Sequence, residues 1–109
     1  MEVPELSPEQ VRRLASLVAI GRRSGDTVTG LSAVRRAGAL AYVFADASLA
    51  AGTLAEMGRL AARGAQVWRV ACLADMTREF GREDLLVIGV RRGSLADGVA
   101  RRLAATQPH

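Results

Sequence analysis

Pairs of arginines are the side chains of this sequence best suited to contacting a polyanion. The 15 basic residues are all arginines, and against 11 acidic residues they give a formal net charge of +4. The pairs Arg22-Arg23 and Arg35-Arg36 each come two residues before a glycine, where a helix commonly ends. A planar guanidinium pairs with phosphate and stacks on exposed bases. Because a cation at a helix end also offsets the helix dipole, phosphate contact and dipole compensation both fit these pairs.

A glycine turn and the serine that follows it form a second candidate. Gly30 allows close approach of the backbone to a ligand and precedes a predicted short helix, whose first N–H groups form a positive dipole end. Ser32 can donate or accept one hydrogen bond there. The alternative is a plain glycine turn with a serine in the first helical turn.

Catalytic and metal-binding chemistry lacks the residues it needs. Cys72 is the single cysteine, which excludes an intramolecular disulfide, and the single histidine, His109, is the last residue. No Cys/His pair and no metal-ligand set is therefore expected. The carboxylates of Glu9, Asp46 and Asp75 lie where they can cap predicted helices, and RRGSLADG lacks the lysine and spacing of a P-loop. The sequence predicts no enzyme, no metal and no cofactor.

Local signals predict the elements that must position these residues. Ser7, Pro8 and Gln10 are typical of a helix start, with a serine cap and a proline at the first helical position. The predicted elements are helices at 8–23, 31–37, from Asp46 or Ser48 to 63, at 75–80 and from Ser94, with strands at 26–29, 40–45, 66–71 and 85–90. This alternation predicts an α/β fold, a three-layer α/β/α sandwich with a mixed sheet of about four strands.

Length and hydropathy place the chain in one class of protein. At 109 residues it is expected to form one domain over 1–109, with residues 1–6 and 106–109 frayed. No apolar run approaches the roughly 20 residues that cross a bilayer, and the first ten residues lack the basic lead and apolar segment of a signal peptide. A cytoplasmic location without membrane contact is the expectation.

Several phrases in order resemble a known family. GRRSGDTVTG and VFADAS are similar to the turn, helix start and strand end of the kink-turn RNA-binding ribosomal-protein family and its small bacterial stand-alone members. QVWRVACLADMTREFGRED and LLVIGVRRGSLADGVARRL resemble the strand, loop and closing helix of the same family. The likeness covers roughly residues 12–104.

The resemblance implies a non-catalytic protein that binds kinked or structured RNA, in or outside the ribosome. It implies that the arginine pairs at 22–23 and 35–36 hold backbone phosphates. Gly30 and Ser32 would lie against the kinked base pairs, and Cys72 and Leu73 would cover an extruded base, although the loop 71–74 could equally form a buried corner. Arg91-Arg92 and Arg101-Arg102 are outside the implied site and are interpreted as solvated surface.

The chain departs from the family where the family reads RNA. Leu31 and Ala33 stand where polar or acidic residues are usual, and Ala45 replaces an acidic residue. These substitutions favour an alternative, a protein-interaction module on the same fold that has lost specific RNA recognition. An exposed apolar patch with few cations beside Gly30 would favour this second hypothesis. A small hydrolase or transferase is a third class, disfavoured because no nucleophile–base set is available.

Overall fold

A computed structural model describes residues 3–81 and 84–105, which form five α-helices and four strands. The helices are α1 (Pro8–Ser24), α2 (Leu31–Arg36), α3 (Ala51–Gly58), α4 (Ala74–Thr77) and α5 (Ser94–Ala105). The strands are β1 (Thr27–Thr29), β2 (Leu40–Asp46), β3 (Gln66–Val70) and β4 (Val87–Arg91). A 3₁₀ turn at Arg59–Arg63 extends α3, and another at Arg78–Phe80 extends α4.

The four strands form one mixed sheet in the order β1-β4-β2-β3. Strands β2 and β3 are parallel, while β4 runs antiparallel to both of its neighbours, β1 and β2. The carboxyl ends of β1, β2 and β3 therefore meet the start of β4 at one edge, which we call the Gly30 end. The starts of β1, β2 and β3 meet the carboxyl end of β4 at the opposite edge, which we call the arginine end.

Helices cover both faces of the sheet. Along β2, Phe44 packs on the face covered by α1, α4 and α5. It belongs to the larger core cluster, which also includes Leu14 and Ile88. The neighbouring Val43 faces the opposite side and packs with Met57 in a second cluster under α2 and α3. This alternation is the period-two pattern of a strand buried on both faces. The predicted three-layer α/β/α sandwich is confirmed.

The local signals for α1 are confirmed at both of its ends. The Ser7 hydroxyl accepts a hydrogen bond from the Gln10 N–H, and the Gln10 side chain accepts one from the Ser7 N–H, completing a capping box. At the other end Gly25 adopts a left-handed conformation with φ 87°. The arginines at 22 and 23 therefore do lie in the last turn of a helix, as predicted.

Close packing of α1 depends on one glycine. A Cβ at Gly21 would lie 2.2 Å from Thr27 Oγ1 and 2.3 Å from Leu95 Cδ2. Non-bonded atoms cannot approach each other this closely. Helix α1 can therefore pack so near to β1 and α5 only because residue 21 has no side chain. Gly21 thereby fixes where the end of α1 lies relative to the arginine end of the sheet.

Three expectations are corrected. Helix α3 begins at Ala51 rather than at Asp46 or Ser48, because the Asp46 carboxylate is already engaged with Ser48 and with the loop after β3. The last strand is Val87–Arg91 rather than 85–90. Fraying does not extend to residues 4–6, since the Arg69 N–H donates to Pro4 O and the Leu6 N–H donates to Arg69 O. The remaining predicted frayed residues, 1–2 and 106–109, lie outside the described part, and residue 3 packs beside the second cluster.

Candidate functional site

The fold separates the residues that the sequence grouped into one site. The Gly30 N–H donates to Val87 O at the start of β4, which places this turn at the Gly30 end. By contrast, Arg91 Nε, at the carboxyl end of β4, donates to Gly25 O, directly after the last turn of α1. With a rise of about 3.3 Å per residue, the length of β4 separates the two ends by roughly 13 Å. The pair at 22–23 therefore does not join Gly30 in a single site.

Helix α2 presents part of the predicted site on one exposed face. Gly30 precedes the helix with φ 92°, a conformation that favours glycine, and a Cβ built there would meet nothing within 4 Å. Val34 is buried against the sheet, whereas Ser32 and Arg36 are exposed and one helical turn apart. We call Gly30, Ser32 and Arg36 the α2 face.

Arg35 is drawn away from that face by an ion pair. Its Nε lies 2.7 Å from Glu56 Oε2 and its Nη2 lies 2.8 Å from Glu56 Oε1, a bidentate arrangement that joins α2 to α3. The hydrogen bonds raise the pKa of Arg35 and lower the pKa of Glu56 from their ordinary values. The carboxylate thus occupies the guanidinium edge that a phosphate would use.

The two predicted residues in the loop after β3 have different environments. Cys72 is exposed, and it lies beside a cavity of about 110 Å³ with Leu6, Val11 and Asp75. The Leu73 side chain is fully buried in the larger core cluster, so the expectation that it covers an extruded base is wrong. Three strand spacings separate Cys72 from Gly30 along the Gly30 end, about 14 Å.

A buried carboxylate organises the Gly30 end, and sequence reasoning assigned it only a capping role. Asp46 Oδ1 accepts a hydrogen bond from the Leu73 N–H at 2.7 Å, and Oδ2 accepts one from the Ser48 N–H at 2.9 Å and one from the Ser48 hydroxyl. Although burial raises it, these three hydrogen bonds hold the pKa of Asp46 below its ordinary value. Asp46 therefore ties the loop after β2 to the loop after β3.

The arginine end gathers cations from three elements. Beside the contact between Arg91 and Gly25 O, Arg92 Nη2 donates to Arg63 O, at the end of the 3₁₀ turn before β3. The Arg22 guanidinium carbon lies 5.3 Å from the centroid of the Phe80 ring. The hydrogen bonds bring Arg91 to the residue after α1 and Arg92 to Arg63, which lies 29 residues earlier in the chain.

Within the described ranges, ion pairs engage few of the arginines. Four pairs are present, and they involve Arg13, Arg35, Arg69 and Arg78. The other described arginines are exposed and have no carboxylate at ion-pair distance: Arg12, Arg22, Arg23, Arg36, Arg59, Arg63, Arg91, Arg92, Arg101 and Arg102. The positive charge of the chain is thus carried on side chains that can accept an external anion.

Metal ligands and membrane spans are absent from the part of the chain that the structure describes. No three His, Cys, Asp or Glu side chains within 3–81 and 84–105 are placed to hold a metal ion. Over the same residues, no helix combines the length and the apolar character needed to span a bilayer.

A cavity of about 230 Å³ between the N-terminal segment and the 3₁₀ turn is lined mainly by apolar residues, among them Val3, Gly58 and Val67.

Comparison with known proteins shows a shared fold. No protein-family model matches the sequence, and no curated protein matches it. Among solved structures, a protein of unknown function from Bacillus halodurans C is similar, with a TM-score of 0.63 and 17% sequence identity. The alignment covers 90% of this chain and 99% of that chain. At this identity the likeness concerns the fold alone.

Proposed function

We propose that this protein binds structured RNA and catalyses no reaction. The observation that carries the proposal is the large set of exposed arginines without carboxylate partners in the described ranges. A surplus of exposed cations on one molecule favours a polyanionic partner. Among polyanions, RNA also agrees with the resemblance of GRRSGDTVTG and VFADAS to the kink-turn RNA-binding family.

The α2 face is the part of the surface proposed to read the kink. Gly30 leaves open space where a side chain would project, and Ser32 offers a hydroxyl beside it. Arg36, one turn further along the helix, can contact a phosphate next to the base pairs that Ser32 meets. Leu31 and Ala33 offer no side-chain hydrogen bond, so we expect only a modest preference for kinked RNA over a straight duplex.

A titration of two RNAs tests this function. A short kink-turn RNA and a straight duplex of equal length are titrated with the protein at two salt concentrations. We expect both to bind, with the kinked RNA bound a few-fold more tightly, and the affinity to fall steeply with salt. The variant S32A/R36Q should lose the preference for the kink. If neither RNA binds at low salt, the proposed function is refuted.

A second candidate, docking of a protein at the Gly30 end, rests on one observation. Leu86, just before β4, is 42% exposed, and the neighbouring Leu31 is half-buried at the start of α2. Apolar groups at this end suit a protein surface better than phosphates. Absence of binding of both RNAs to the parent protein at low salt would leave this candidate standing.

A further inference from the structure

Five exposed arginines lie on the chain segments that meet at the arginine end, and we call them the arginine row. Its members are Arg22, Arg23, Arg63, Arg91 and Arg92. The contact of Arg91 with Gly25 O links the end of α1 to β4, and the contact of Arg92 with Arg63 O links β4 to the 3₁₀ turn. The row therefore crosses the whole end of the sandwich, from the layer of α1 over the sheet to the opposite layer.

Compensation of helix dipoles accounts for only part of the row. Arg22, Arg23 and Arg63 do lie in last helical turns, where cations are favourable. Arg91 and Arg92, however, come immediately before α5, which begins at Ser94 and runs for 12 residues. The start of a helix is its positive end and favours acidic side chains, so two arginines there lack a dipole explanation.

Acidic side chains near the row leave its charge available. The carboxylate of Asp26 is engaged by the Ser24 hydroxyl at 2.9 Å. Asp97, in the first turn of α5, is exposed and forms no ion pair with a described arginine. Each guanidinium whose contact is known binds a backbone carbonyl or a ring, as in Arg91 on Gly25 O and Arg22 on Phe80. Such contacts hold the side chain while leaving other N–H donors for a ligand.

We propose that the arginine row binds the phosphate backbone of an RNA duplex, as a second surface separate from the α2 face. Three strand spacings separate the β1 side of the row from its β3 side, so it spans about 14 Å. A row of that width can meet phosphates of both strands of one duplex. Aromatic stacking on unpaired bases is disfavoured, since the rings of Tyr42, Phe44 and Phe80 are buried and Trp68 is partly buried in β3.

The variant R23Q/R63Q tests the row because it removes one charge from each side of it. Neither side chain makes a hydrogen bond in the described structure, so the fold should be retained. The matched control is R12Q/R101Q, which removes the same net charge from exposed positions on α1 and α5. Arg12 lies ten residues before Arg22, about 15 Å along the helix. Binding of a straight RNA duplex and of an unpaired strand of equal length is measured over a range of salt.

Two results are expected, and each has a contrary outcome. The parent protein should bind the duplex more tightly than the unpaired strand. R23Q/R63Q should weaken duplex binding about tenfold and flatten the slope of log K against log salt by roughly 1.8, whereas the control should change both much less. Equal losses in the two variants would overturn the row, because net charge alone would then explain binding. Equal binding of duplex and unpaired strand would overturn it as well.

A third variant separates this inference from the proposed function, on whose RNA partner it depends. S32A/R36Q should lose the preference for kinked RNA, and its affinity for the straight duplex should fall much less than that of R23Q/R63Q. If it instead loses duplex binding while R23Q/R63Q keeps it, the protein binds RNA through the α2 face alone and the row is refuted. If the parent binds no RNA at low salt, both proposals fail together.

Discussion

The two ends of the sheet are built in different ways. At the Gly30 end, backbone N–H groups of Ser48 and Leu73 converge on the buried carboxylate of Asp46. At the arginine end, exposed guanidinium groups reach over to the carbonyls of Gly25 and Arg63, and no described carboxylate closes an ion pair with them. The Gly30 end is held by hydrogen bonds to a buried carboxylate, whereas the arginine end is an exposed, positively charged surface.

This difference implies different consequences of mutation. A buried, fully used acceptor contributes to stability because its removal leaves buried donors without a partner. An exposed arginine contributes little to stability, since water replaces its contacts readily. Substitution of Asp46 at the Gly30 end should therefore act mainly on the free energy of unfolding. Substitutions at the arginine end should act mainly on ligand affinity.

The largest expected effect is that of Asp46→Ala. The Leu73 N–H would lose its acceptor in a buried position, and both donors of Ser48 would lose theirs. We expect the free energy of unfolding to fall by about 3 kcal/mol, measured by urea denaturation. Arg23→Gln serves as the comparison at the other end and should leave the urea midpoint nearly unchanged. Similar losses in the two variants would break the contrast between the ends.

The same carboxylate gives the Gly30 end a defined dependence on pH. Because the hydrogen bonds depress the pKa of Asp46 in the folded state, its stabilising contribution is present above the unfolded pKa of about 3.9. The contribution is lost as the pH falls through the folded pKa. Asp46→Asn, which does not titrate, should lose less stability than the parent protein between pH 5 and pH 2, roughly the range of that transition. An identical acid profile in both proteins would show that Asp46 is not the group responsible.

The next largest effect should come from Gly21→Ala, which disturbs the packing of α1 against β1 and α5. The added Cβ would overlap Thr27 Oγ1 and Leu95 Cδ2, and such overpacking costs about 1–3 kcal/mol. Gly98→Ala is the matched control, because its Cβ would meet Leu17 Cδ1 at an ordinary 3.5 Å. Alanine is the better helix former, so the control should be neutral or more stable by up to about 1 kcal/mol.

The thermal unfolding midpoints of Gly21→Ala and Gly98→Ala measure this difference in stability. A stable Gly21→Ala protein would mean that α1 can move away from β1 without loss. In that case the position of Arg22 and Arg23 would not be fixed by packing. The arginine end would then have to be treated as an adaptable surface.

Elements with local signals could be predicted from the sequence. The cap at Ser7, the proline after it and the glycine at 25 mark the ends of α1 within a short stretch of chain, and they gave its start at residue 8 and its end within one residue. The apolar run 40–45 likewise gave β2, which extends one residue further to Asp46. Each of these signals acts over a few residues, which is the range that a sequence pattern covers.

Contacts between distant segments could not be predicted in the same way. Asp46 reaches an N–H 27 residues away, and this contact converts a predicted helix cap into a link between two loops. The interpretation of Arg91-Arg92 as solvated surface also failed to place them beside the ends of α1 and the 3₁₀ turn. For Leu73 the sequence left both a base contact and a buried corner open, because four residues are too few to show a periodicity that would mark burial; the side chain is buried.

The smallest effect is expected from a substitution in the ion pair between Arg35 of α2 and Glu56 of α3. Glu56 holds Arg35 through two hydrogen bonds, and both side chains are substantially exposed. Glu56→Gln removes the charge of the carboxylate, and Arg35 then becomes available beside Arg36. Stability should hardly change, because exposed ion pairs contribute little. Affinity for RNA should rise by about threefold, and the salt slope should steepen by roughly 0.9, the value for one added phosphate contact.

Arg35→Gln separates release of an arginine from a simple change of net charge. If Glu56→Gln acts by releasing Arg35, the double variant E56Q/R35Q should lose the gain and bind RNA as the parent protein does. If the gain instead reflects weaker repulsion between Glu56 and RNA, it should persist in part when Arg35 is absent. Titration of the kink-turn RNA at two salt concentrations distinguishes these cases, because only a new phosphate contact steepens the slope. An unchanged slope in Glu56→Gln would therefore confine RNA binding to arginines that are already unpaired.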